Sequence, residues 1–198
     1  MGYIITLYTP FFYFFLLMNR LLSILVLIFL GACVHSQDIT KFYKQSIHSE
    51  GFLYFVYPQK MSQKKSESGN ICKKDLSYDY TYLDSKDSVT ILMTLTTSMP
   101  YRPDSVDIKY NSGNQENSIS AKAEILYVES QKKYWKTRVR ATIGYGEWAD
   151  IYECPTPMTV SFSSDKDKQK IEFMDSQKKW KKLSMKFVRL FQVINYNK

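Results

Sequence analysis

Glycine, histidine and cysteine are scarce in this 198-residue chain, at seven, two and three residues. Each scarcity removes a class of chemistry. A zinc centre wants four Cys, His or acidic ligands at short spacings, and only His35 and His48 exist, the first inside an export segment. No glycine-rich loop can cradle a nucleotide phosphate. No Gly-x-Ser-x-Gly elbow is present, and His48 has no recognisable Ser or Cys partner for nucleophilic catalysis. Neither metal nor cofactor is expected. No Pro/Gly/Ser linker and no internal repeat divides the chain.

What is present begins with an apolar N-terminus. Met18-Asn19-Arg20 followed by Leu21–Leu30 has the positive start and the apolar run of a secretory signal. Two cuts are readable. Leu30-Gly31-Ala32-Cys33 resembles the lipobox of bacterial lipoproteins, which implies a diacylated Cys33 at the mature N-terminus. Alternatively Val34-His35-Ser36 offers small residues for signal peptidase I, with Gln37 becoming the first residue. The lipobox reading is preferred. Residues 1–36 are thus the export signal, with 18–36 the signal peptide proper. Met1–Leu17 carries no Lys or Arg and is broken by Pro10, so it lacks the charge that orients a membrane segment. It reads as an untranslated extension ahead of a start at Met18.

Residues 37–198 read as one domain, long enough to bury a core. Arg20 is the single basic residue before Asp38, so 26 of the 27 Lys and Arg remain against 19 acids. Such a surplus permits anionic partners, although export removes nucleic acid from the expected set. Cys72 and Cys154 are left as a pair, which an oxidising compartment turns into a disulfide closing a loop of about 80 residues.

From residue 51 the apolar period is two, the mark of strands with one buried face. Gly51–Pro58 reads as an aromatic strand and Lys60–Lys74 as a loop. A hairpin turning at Ser85-Lys86 sets Tyr82, Tyr80 and Tyr78 opposite Val89, Ile91 and Met93, which makes the tyrosines core. A second hairpin joins Ile119–Val128 to Tyr134–Gly144. Centred on Gln131, it pairs Tyr127 with Trp135, Ala123 with Val139 and Glu124 with Arg138. Gly144–Trp148 reads as a bend and Ala149–Glu153 as a strand. Met158–Phe162 and Lys170–Phe173 flank the turn Asp165–Lys168.

At the C-terminus the period becomes helical. Asp175 is the expected N-cap, and Trp180, Leu183, Phe187, Leu190, Phe191 and Ile194 form one stripe against a basic opposite side. Asp38–Ser49 reads as a shorter helix. The expected fold is mainly β, an antiparallel sandwich or barrel-like meander with a C-terminal amphipathic helix packed on it.

Two candidate sites follow. Tyr145 and Trp148, beside Gly144 and Gly146, could present an aromatic pair for stacking at the sheet's rim, though plugging the core is the preferred role of Trp148. Glu147, Asp150 and Glu153 form an acidic cluster, but on a strand they point to opposite sides and cannot flank a glycosidic bond. The organisation of Met18–Gln37 and the β-rich body ending in a helix resembles small secreted proteins and lipoproteins of Bacteroidetes-type bacteria. A lipocalin-like barrel also sets a helix after its strands, but the Gly-x-Trp of that family is missing here. The expectation is a non-catalytic binding or accessory protein of the periplasm or outer membrane, anchored through Cys33 or otherwise secreted. Its partner would be a glycan, a small apolar ligand or another envelope protein. A hydrolase acting on a glycan or peptide with acids near Glu147 is the alternative.

Overall fold

The computed structural model describes residues 39–62, 75–166 and 169–197; residues 1–36, expected as an export signal, with Cys33, and also Cys72 lie outside the described residues. Among the described residues two antiparallel sheets account for the β content. The larger has the order β1 (Tyr43–His48), β2 (Gly51–Ser62), β3 (Asp75–Leu83), β4 (Ser88–Thr97), β8 (Tyr134–Gly144), β7 (Glu124–Gln131). The smaller has the order β10 (Gln169–Met174), β9 (Thr159–Ser164), β5 (Ser105–Ser112), β6 (Gln115–Lys122). Two helices, α1 (Tyr145–Glu153) and α2 (Gln177–Asn197), join the same core. Among the described residues no sheet closes into a barrel.

Alternation explains the larger sheet. Leu76, Tyr78, Tyr80 and Tyr82 of β3 and Val89, Ile91, Met93 and Leu95 of β4 all turn inward and are buried. The register sets Tyr82 against Val89, Tyr80 against Ile91 and Tyr78 against Met93, as expected from the turn. Val139, Ala141 and Ile143 of β8 continue the same face. The outer face carries Arg138, whose guanidinium grips both oxygens of Asp79 at 3.1 Å and donates to Thr94 Oγ1 at 2.8 Å.

Helix α2 closes the core with the expected stripe: Trp180, Leu183, Phe187, Leu190, Phe191 and Ile194 are all buried. Each such side chain contributes about 1.5–3 kcal/mol by leaving water. Its cap differs by one residue from expectation. Ser176 Oγ accepts the Lys179 amide at 3.4 Å and the Ser176 carbonyl accepts the Trp180 amide at 2.9 Å, so Ser176 is the N-cap. Asp175 is instead a buried residue paired with Lys179.

Other expectations are corrected. Asp38–Ser49 is not a helix: a 3-10 turn at Ile39–Lys41 leads into strand β1. Strand β2 does not stop at Pro58 but runs to Ser62. A bulge between Val56 and Gln59 absorbs the missing proline N–H, just beyond the last β1 pairing at Val56. Lys60–Ser62 therefore belong to strand, and the rest of the expected loop lies outside the described residues.

The second hairpin changes most. The run from Gln115 to Gln131 breaks at Ala123: β6 pairs with β5 in the small sheet, and only β7 pairs with β8. The turn is Lys132-Lys133, with Lys132 at φ 53°, and a bulge falls between Ile125 and Tyr127. Glu124 thus meets Arg140, not Arg138, in a bidentate pair at 2.6 and 2.9 Å. Strand β5, unread in the sequence, takes Ile119 and Ala121 as partners for Ile108 and Val106. The third hairpin follows the expected turn, with Gln169 opposite Ser164.

Candidate functional site

The segment expected as bend and strand after Gly144 is helix α1. Its cause is legible: Trp148, Ile151 and Tyr152 recur at helical spacing and are the buried residues of the element. Glu147 Oε2 accepts the Gly144 amide at 3.3 Å, satisfying one open donor at the helix start. Pro155 follows the last turn, where a helix cannot continue.

Helical geometry rearranges both candidate sites. Trp148 is inside the core, edge-on to Tyr80 at 5.6 Å and to Tyr152 at 5.1 Å. Tyr145 is half-buried, stacked on Tyr82 at 4.2 Å, and its hydroxyl donates to Asn195 Oδ1 at 3.2 Å. The two rings pack helix α1 onto the sheet and onto α2; they do not form a solvent-facing pair. Conversely, Glu147, Asp150 and Glu153, at i, i+3 and i+6, share one helical face. The expectation that these acids point apart is overturned, because it depended on a strand.

Two of the three meet a cleft. Asp150 and Glu153, with Cys154 and Pro155 beside them, line a cavity of about 430 Å³ together with Tyr110, Ser112, Gly113 and Asn117. One wall is the end of α1. The other is the β5–β6 hairpin, whose Gly113-Asn114 turn takes Gly113 at φ 64°, a conformation glycine adopts without strain. The walls differ in chemistry. The helix wall offers carboxylates, and the hairpin wall offers a phenol, a hydroxyl and an amide.

Electrostatics within the cleft follow from burial first and then from the carboxylates. Burial pushes the Tyr110 phenol above its usual range, and Asp150, Cys154 and Glu147 reinforce that shift. The Cys154 thiol rises for the same reasons, burial first and then Asp150 and Glu153. Its S–H donates to the Asp150 carbonyl oxygen at 3.2 Å. Among the described residues Cys154 is a free thiol, its expected disulfide partner Cys72 lying outside them, and the thiol is held protonated, which is the opposite of an activated nucleophile. No group of three or more His, Cys, Asp or Glu suited to a metal occurs among the described residues.

The sequence offered two signals for this cleft that went unread. A Gly-Asn turn between alternating strands marks the β5–β6 hairpin, and the 148/151/152 spacing marks α1. No family model, no curated protein and no solved structure matches this chain.

Proposed function

We propose that the chain is an exported, lipid-anchored binding protein of the cell envelope whose cleft between α1 and the β5–β6 hairpin takes a glycan. One observation carries this reading. Both cleft carboxylates, Asp150 and Glu153, stand on the α1 wall and face Tyr110, Ser112 and Asn117. Carboxylate and amide oxygens accept hydrogen bonds from sugar hydroxyls, and an aromatic ring supplies a face for the sugar's C–H side. An apolar ligand fits a polar lining less well, because the polar groups would lose water without replacement.

Glycoside hydrolysis asks for something else, two carboxyls on opposite sides of the scissile bond. The hairpin wall supplies none. The hydrolase remains the second reading because Asp150 and Glu153 share one cavity.

Titration calorimetry against soluble envelope oligosaccharides tests both readings. Saturable binding is expected, weakened about tenfold by Asp150→Asn or Tyr110→Ala, equivalent to about 1.4 kcal/mol. New reducing ends during the incubation favour the hydrolase instead. The anchor is tested separately by the mass of the mature N-terminus. A diacylated Cys33 supports it, and an unacylated chain starting at Gln37 removes it.

A further inference from the structure

We infer that the outer face of α2 is a docking surface for an anionic lipid bilayer, a second membrane contact beside the acyl chain. The inference rests on the anchored reading above, which delivers the domain to that bilayer. Its apolar stripe is already spent in the core, so what α2 turns outward is decided by the remaining positions. Lys178, Lys181, Lys182, Met185 and Arg189 lie within one arc of the helix, opposite the buried stripe, with Lys186 at the flank between them. No acidic residue occurs between Gln177 and Asn197. Among the described residues, Lys178, Lys181, Lys182 and Arg189 have no carboxylate partner.

Cations alone are a solvated face. Two further observations argue for lipid. Met185 is 45% exposed and Tyr196 is 91% exposed on the same arc, an apolar and an amphipathic side chain of the kind that sits among headgroups. The chain also enters the fold beside this helix. Phe42, just after the turn at Ile39–Lys41, packs edge-on against Phe187 at 4.8 Å, and the Lys186 ammonium stands 5.6 Å over the Phe42 ring. Cys33 is six residues before Ile39, so a lipid there keeps the bilayer surface within about 20 Å of that turn. The chain's entry therefore lies at the flank of α2, against its buried stripe at Phe187 and bordered by Lys186, about one helix diameter from the cationic arc. No described helix is long and apolar enough to span a membrane, so the contact is peripheral and sensitive to salt.

The test uses the mature chain beginning at Gln37, which carries neither the apolar run Leu21–Leu30 nor an acyl group and so separates the helix face from the anchor. Its sedimentation with phosphatidylcholine vesicles is compared with vesicles containing about a third phosphatidylglycerol. The expected result is about tenfold stronger association with the anionic vesicles, abolished by high salt and by the triple variant Lys178→Gln, Lys182→Gln, Arg189→Gln. A control triple, Lys122→Gln, Lys132→Gln, Lys133→Gln, removes as much charge elsewhere and should keep the preference. Equal sedimentation with both vesicles overturns the inference, as does a preference that survives the helix triple or falls equally in the control. Because the anchor is read from the wild-type N-terminal mass, either can fail without the other.

Discussion

The Asp175 carboxylate is buried, with Oδ1 on Lys179 Nζ at 2.7 Å and Oδ2 making no hydrogen bond. Lys179 also donates to the Lys60 carbonyl, tying β2 to the start of α2. Burial pushes the Asp175 pKa above the usual carboxylate range; Lys179 and the Ser62 amide pull it down without cancelling that effect. The folded protein therefore holds this proton more tightly than the unfolded chain does. Asp175 favours folding most below the unfolded value of about 3.8, and the contribution is lost as pH rises through the elevated folded pKa. Urea midpoints measured from pH 3 upward should show wild type losing ground to Asp175→Asn across that window. A difference that moves toward wild type with rising pH would mean that the Lys179 pairing outweighs burial. Residue identity alone suggested a cap at Asp175, since Asp is among the best capping types. Which of two adjacent candidates caps the helix depends on where the backbone turns, and here it turns at Ser176.

At the scale of elements, α2 tests that cap directly. Ser176→Ala should cost about 0.5 kcal/mol, at the low end of capping values because the Oγ–amide contact is long at 3.4 Å. Ser176→Asp should recover it by placing a negative charge at the helix's positive end. Chemical denaturation of the three proteins measures both, and an Ala variant as stable as wild type would show that packing of Trp180 alone holds the first turn. The elements read correctly from sequence share a feature. The β3–β4 hairpin, the β9–β10 hairpin and α2 each have a buried face whose periodicity admits one solution. Slipping β3 by one residue would drive three tyrosines into water. Strand β7 has no such constraint. It is an edge strand with Leu126 and Tyr127 partly exposed, and its Lys-Lys turn carries none of the usual turn residues. Its register came from the bulge and from the departure of β6 into the other sheet.

For the molecule as a whole, the core is a shell of aromatic rings. Tyr152 stacks on Phe187 at 3.8 Å and on Trp180 at 5.2 Å, Tyr80 stacks on Phe187 at 5.5 Å, and Tyr78 meets the Tyr152 hydroxyl at 3.1 Å. Burial raises the pKa of Tyr78, Tyr80, Tyr145 and Tyr152 well above 10, and pushes Tyr82 up to about 12. The unfolded chain ionises its tyrosines near 10, so this protonated core supports folding below that pH and ceases to do so as pH climbs past it. A phenolate absorbance titration should show the exposed tyrosines ionising first. The buried set should follow in a steep step coincident with loss of near-ultraviolet circular dichroism. All of them titrating smoothly near pH 10 would show that the shell is open to water.

By itself the sequence determined the fold class, the β3–β4 register, the place of the β9–β10 turn and the buried stripe of α2, because each rests on a pattern that neighbouring residues impose. Tertiary structure alone decided which strands share a sheet, where the run at Ala123 divides, and which rings enclose Trp148. Those outcomes depend on partners far along the chain: β5 must exist before β6 can leave β8, and the sheet's tyrosines must be in place before Trp148 has a pocket. The cleft arises the same way. Tyr110 and Asp150 are forty residues apart, and only the packing of α1 beside the β5–β6 hairpin brings them to one cavity.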